Sequence, residues 1–108
     1  MINDQPTSEL SRDEINQFTG AVMLEFGAGW CDYCKAAQGI IFSELALRPN
    51  IRHIKIEDGK GRRLGRTFAV KLWPTLIFMK HGIELKRLER QFNPEEINAA
   101  LIIISNNS

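Results

Sequence analysis

Short apolar blocks alternate along the chain with polar, turn-forming stretches, and the period of each block assigns its element. Ala21-Val22-Met23-Leu24-Glu25-Phe26 is a nearly unbroken apolar run ended by Gly27, the pattern of a strand buried on both faces. Ile51-Arg52-His53-Ile54-Lys55-Ile56 alternates apolar and polar positions, which is a strand signal. Thr75 to Met79 is a further buried run, and after His81-Gly82 the stretch Ile83 to Leu88 alternates less regularly; the two read as a hairpin. Elsewhere the spacing becomes helical. From Cys31 to about Leu47 the apolar positions Cys34, Ala37, Ile41 and Leu45 recur on one face, and Pro49-Asn50 closes the segment. Ser11-Arg12-Asp13-Glu14 has the form of a capping box and predicts a short helix to about Phe18. A weak helix follows from about 61 to 69. Asn93-Pro94-Glu95-Glu96 starts the last helix, with an N-cap, a proline at the first position and acids in the first turn. Ile97, Ala100, Leu101 and Ile104 face inward, and the all-apolar run Leu101 to Ile104 predicts deep packing of its end.

The order helix, strand, helix, strand, helix, strand, strand, helix predicts an α/β architecture. Its mixed central sheet carries helices on both faces and ends in an antiparallel hairpin. The 108 residues fit one domain spanning 1–108, with 1 to about 7 as a loose polar tail. Fourteen basic and thirteen acidic side chains nearly cancel, so no global field draws the chain to nucleic acid or an anionic membrane. The first residues lack the pattern of a signal peptide, and no apolar run approaches the roughly 20 residues that span a bilayer. A cytoplasmic protein is the expectation. Lys60-Gly61-Arg62-Arg63 with Arg66 is a basic cluster without interleaved aromatics or phosphate-loop spacing, and it reads as a solvated face.

Only two cysteines occur, Cys31 and Cys34, in Gly27-Ala28-Gly29-Trp30-Cys31-Asp32-Tyr33-Cys34-Lys35. This stretch joins a predicted strand to a predicted helix. Cys31 at the helix N-terminus faces unpaired backbone N–H groups and the positive end of the helix dipole, both of which favour a thiolate nucleophile. Cys34, one turn later, lies deeper on the same side, where the two sulfurs can meet. The pattern points to thiol–disulfide exchange: one thiolate attacks a disulfide, and the second thiol releases the product. Zinc is the rival reading. A tetrahedral site needs four ligands, and the chain offers the two cysteines with His53 and His81 at no familiar spacing; no metal is expected.

Val22 to Lys35 resembles the active-site strand and loop of thioredoxins, with Trp-Cys-x-x-Cys-Lys intact, and Trp73-Pro74-Thr75 resembles the family's cis-proline loop. A strand and a hairpin at Gly82 follow, as in the family, and the resemblance covers roughly residues 8 to 104. It implies a thioredoxin-like fold with Cys31 as attacking thiol and Cys34 as resolving thiol, the redox-active pair. Pro74 becomes a cis-proline facing the sulfurs, with Trp30, Trp73, Thr75 and Arg90 around the substrate groove. Glu25 takes the place of the family's buried acid, as proton acceptor for Cys34. His53 falls where many thioredoxins carry a lysine, and a Glu25–His53 pair is expected to move the site's proton affinity toward neutral pH.

Several positions depart from the family pattern. Asp32-Tyr33 replaces Gly-Pro between the cysteines, and the charge of Asp32 opposes a dipole effect of about 0.3–1 kcal/mol. Gly27 stands where an aromatic is usual, Arg90 replaces a glycine, and Trp73 replaces a smaller aliphatic residue. A narrower or repositioned groove is the expectation. The chain lacks a Gly-x-Gly-x-x-Gly unit, so no nicotinamide or flavin cofactor is expected. Disulfide-bearing proteins are the expected substrates, and a separate reductase or thiol donor the electron source. The alternative is a chaperone or assembly factor that grips a partner in the same groove without redox turnover.

Overall fold

The computed structural model describes residues 10–105; the expected polar tail lies outside them. Helix α1 (Arg12–Asn16) leads into β1 (Ala21–Gly27), α2 (Asp32–Ala46) and β2 (Arg52–Glu57). Helix α3 (Arg63–Thr67), the hairpin strands β3 (Thr75–Lys80) and β4 (Ile83–Glu89), and α4 (Pro94–Ser105) complete the chain. Every expected element is present, displaced by one or two residues at its ends. The capping box is formed: the Ser11 hydroxyl accepts from the Glu14 N–H, and the Glu14 carboxylate accepts from the Ser11 N–H.

The four strands order as β2-β1-β3-β4. Strand β1 pairs in parallel with β2 and antiparallel with β3, and β3 pairs antiparallel with β4. The sheet is therefore mixed. The long connection through α2 joins the parallel pair, as that pairing requires. Alternation along β1 then divides its side chains. Met23 joins α2 and α4 residues such as Ile41, Ile97 and Leu101 in one core. Val22, Leu24 and Phe26 join Ile15, Leu64 and Phe68 beneath α1 and α3 in the other. A strand covered on both faces must be apolar almost throughout, and β1 is, except at Glu25.

One expectation fails. The run Leu101 to Ile104 is not buried all round: Leu101 and Ile104 are sealed, but Ile102 and Ile103 are 45% and 42% exposed. Helix α4 covers only one face of the sheet, and a helix turns about 100° per residue, so two consecutive positions face away from the sheet.

Candidate functional site

Both cysteines lie at the junction of β1 and α2. Ala28, Gly29 and Trp30 carry the chain over the end of the sheet, and Cys31 is the N-cap of α2 with extended backbone angles. Its sulfur accepts the Cys34 N–H at 3.2 Å, capping one of the helix's orphan donors. Both cysteines are buried free thiols. Cys34 packs with Cys31 and Ala28 against Trp73. Burial and the hydrogen bond with Cys31 push the Cys34 thiol up to about 11, from an ordinary 9.0. A thiol so raised stays protonated through neutral and mildly alkaline pH. In the folded, reduced protein we therefore expect iodoacetamide to modify Cys31 and spare Cys34 until the pH approaches 11. Mass spectrometry of the tryptic peptide checks this, and unfolding in urea should remove the distinction.

The Trp73–Pro74 peptide bond is cis, and Pro74 is buried. The Trp73 carbonyl lies 4.0 Å from the Cys31 sulfur and accepts a second bond from Arg90 Nε at 3.2 Å. Arg90 has a left-handed backbone (φ 53°), a conformation that favours glycine. Its N–H bonds the Pro74 carbonyl at 2.7 Å, and its guanidinium lies 4.5 Å from the centre of the Tyr33 ring. Arg90 thus ties the proline loop to the turn between the cysteines. The Trp73 indole N–H is held by Asp58 at 2.9 Å, and its ring meets Trp30 edge-on at 5.3 Å. Trp30 itself is 71% exposed. Thr75 is buried, its hydroxyl donating to the Leu72 carbonyl at 2.6 Å.

Glu25 is 3% exposed in the middle of the sheet. Its Oε1 meets His53 Nε2 at 2.7 Å, and its Oε2 accepts from Gln38 Nε2, also at 2.7 Å. Gln38 also donates to the Cys34 carbonyl at 3.1 Å, and its own oxygen accepts from Lys55 Nζ at 3.0 Å. Burial opposes the charge on Glu25, yet the hydrogen bonds with His53 and Gln38 and the electrostatic attraction of the His53 and Lys55 side chains outweigh it. The carboxyl is held below the ordinary carboxylate range. Glu25 is therefore ionised at neutral pH. Gln38 and Lys55 were not singled out from sequence. The available signals were that Gln38 follows Cys34 by one helical turn, and that Lys55 follows His53 by one strand period.

Among the described residues, no group of three or more His, Cys, Asp or Glu side chains could hold a metal ion. No helix there is long and apolar enough to cross a membrane. The basic positions Lys60, Arg62, Arg63 and Arg66 are exposed.

The geometry has close counterparts among known proteins. The family model for thioredoxin matches residues 5–102. Reduced thioredoxin 2 from Pseudomonas aeruginosa PAO1 superposes with a TM-score of 0.79 at 40% identity, over 89% of each chain. Thioredoxin H5 of Oryza sativa subsp. japonica is 30% identical over 82% of this chain, which spans 65% of that relative's length. Thioredoxin of Chlamydia trachomatis is 30% identical over 64% of this chain and 68% of its own. A match running from ahead of α1 into α4 takes in every strand of the sheet and the turn that carries the cysteines, and the chain therefore belongs to the thioredoxin family.

Proposed function

We propose that this protein is a thiol–disulfide oxidoreductase that reduces protein disulfides through Cys31 and Cys34. The observation that carries the reading is the Cys31 sulfur capping α2 while facing the Trp73 carbonyl of the cis-proline loop. A nucleophile there has a hydrogen bond for its negative charge. It also sits beside a backbone edge on which an extended substrate segment can lie.

In the first step the Cys31 thiolate attacks one sulfur of a substrate disulfide; the S–S bond breaks and the other substrate sulfur leaves as a thiolate. In the second, Cys34 loses its proton and attacks Cys31, releasing the remaining substrate thiolate and leaving Cys31–Cys34 oxidised. The substrate gains two electrons and the protein loses two. Because burial holds the Cys34 proton tightly, the second step needs an acceptor. Glu25, ionised and joined to the same helix turn through Gln38, takes that role by way of water, and His53, with 29% of its side chain exposed, passes the proton to solvent. A separate reductase or thiol donor restores the dithiol, which places the protein in a reducing compartment such as the cytoplasm.

Insulin supplies the test: the reduced protein should break its interchain disulfides catalytically with dithiothreitol as the donor. Binding of insulin without reduction would overturn the reading in favour of partner capture without redox turnover. Glu25→Gln refines it. We expect the resolution step, followed by quenched flow, to slow by about 10²-fold while formation of the mixed disulfide keeps its rate. Equal slowing of both steps would assign Glu25 a structural role only.

A further inference from the structure

Arg90 stands beside the cysteine pair with its side chain fixed at several points. Its N–H bonds the Pro74 carbonyl, and its guanidinium lies 4.5 Å from the centre of the Tyr33 ring. Its Nε donates to the Trp73 carbonyl at 3.2 Å, and that oxygen is 4.0 Å from the Cys31 sulfur. Arg90 Nε and the sulfur are therefore no more than about 7 Å apart. Only one donor of the guanidinium is used in this way. Its terminal N–H groups meet no acceptor among the described residues, and no carboxylate there lies within ion-pair distance of them. Arg87, by contrast, is held by both oxygens of Glu84, and Glu89 acts on it as well. Arg90 thus keeps an open charge at the redox site.

We propose that Arg90 selects protein substrates with an acidic side chain two residues from the cysteine that Cys31 attacks. The inference rests on the proposed redox cycle and names a substrate class for it. Spacing sets the position. In an extended segment, successive side chains on one face are two residues and about 7 Å apart. A segment lying along the proline loop with its cysteine at the Cys31 sulfur carries its next same-face side chain over that distance. This is the span from the sulfur to Arg90.

The guanidinium sets the chemistry. Its edges present paired N–H groups that match the two oxygens of a carboxylate. Stacking on Tyr33 engages the face of the group and leaves those edges open. The anchors on Pro74, Trp73 and Tyr33 hold the side chain before a substrate arrives, so little rotamer freedom is lost on binding. Arg90 is also half-buried, and a carboxylate in contact with such a cation is screened less than in open water. Two acids lie on neighbouring segments. Asp58 is engaged by the Trp73 indole. Asp32 is exposed in the first turn of α2 and makes no ion pair with Arg90. Solvent screens its charge, and its repulsion acts on an acidic segment whatever the spacing. A preference for one spacing therefore belongs to Arg90.

The test uses the reduced full chain and capped alanine-based peptides with a single cysteine, activated as an uncharged 2-pyridyl disulfide. Glutamate, glutamine or lysine stands two positions before or two positions after that cysteine. When the Cys31 thiolate bonds to the peptide sulfur, the S–S bond breaks and pyridine-2-thione, the better leaving group, departs with the electron pair. Its absorbance gives the rate at limiting peptide. At one of the two positions we expect glutamate to react faster than glutamine by about 5- to 10-fold, between an exposed ion pair and a hydrogen bond to a charged group. Lysine should be slower than glutamine there. In Arg90→Gly, whose backbone suits the left-handed position, the glutamate-to-glutamine ratio should fall to about 1 or below. Arg90→Lys keeps the charge without the fork and should lie between. A ratio within one variant cancels any general change in the groove, so a merely structural role for Arg90 would leave it unmoved. Equal rates for glutamate and glutamine, an equal gain at both positions, or a gain that survives Arg90→Gly would overturn the proposal. Insulin reduction is read in parallel. Peptides that react without preference remove selection by Arg90 alone, and a protein that reduces neither peptides nor insulin removes the proposed redox function beneath it.

Discussion

Cys31→Ser is expected to abolish insulin reduction, with a loss of about 10³-fold or more, as removal of a covalent nucleophile does. The serine hydroxyl still caps α2, because an oxygen at that position can accept the Cys34 N–H. The fold is thereby retained, and the loss reads chemistry rather than stability. Cys34→Ser gives the opposite signature. Cys31 still attacks, but nothing resolves the product, so mixed disulfides with substrate accumulate and survive non-reducing electrophoresis. The asymmetry follows from the positions of the two sulfurs: Cys31 caps the helix beside the proline loop, and Cys34 lies against Gly27 on the sheet side. Accumulation of mixed disulfides by Cys31→Ser rather than Cys34→Ser would reverse the two roles.

Gly82→Ala is expected to be the most destabilising single methyl addition in the chain, costing about 2–4 kcal/mol. Gly82 turns the β3–β4 hairpin with φ at +79°, where a side chain is strained whatever the space around it. The space is also closed. A methyl group there would overlap the backbone carbonyl of Asn16 at the end of α1, and backbone gives way less readily than a flexible side chain. The adjoining turn leaves little slack, since the His81 N–H bonds the Gly20 carbonyl at 3.0 Å and the Gly20 N–H bonds His81 Nδ1 at 3.1 Å. Urea unfolding followed by tryptophan fluorescence checks the value. Gly39→Ala is the control: nothing lies within 4 Å of the added methyl, and the substitution falls on an exposed turn of α2. It should stabilise by up to about 1 kcal/mol.

The Gly39 control also marks a limit of sequence reading. A glycine inside a helical pattern suggests a bend or a close approach, yet α2 runs through it with open space outside. Gly27, by contrast, ends a strand pattern and looks like ordinary punctuation, but a Cβ there would lie 2.7 Å from the Cys34 sulfur. Conformational preference is written in the residue; what surrounds it is not. Arg90 makes the same point from the other side. A long cation does not announce a left-handed backbone, and here the guanidinium bridges the Trp73 carbonyl and the Tyr33 ring.

The elements, their order and the cysteine pair on its strand–helix turn are legible in the residues, because each depends on periodicity or chemistry within a few positions of chain. Glu25 likewise stands out as the one charge in a run otherwise built for burial on both faces. What that charge meets is set by the folded sheet. The parallel register of β1 with β2 sets Met23 opposite His53 and Glu25 opposite Lys55, which brings to one carboxylate a histidine 28 positions away. Helix α2 then lays Gln38 across its other oxygen. Those contacts lower the acid's proton affinity instead of raising it, and they do so because hydrogen bonds and charges at contact distance outweigh the cost of burial. No local pattern encodes such a balance, since it is struck between segments that meet only when the sheet has formed.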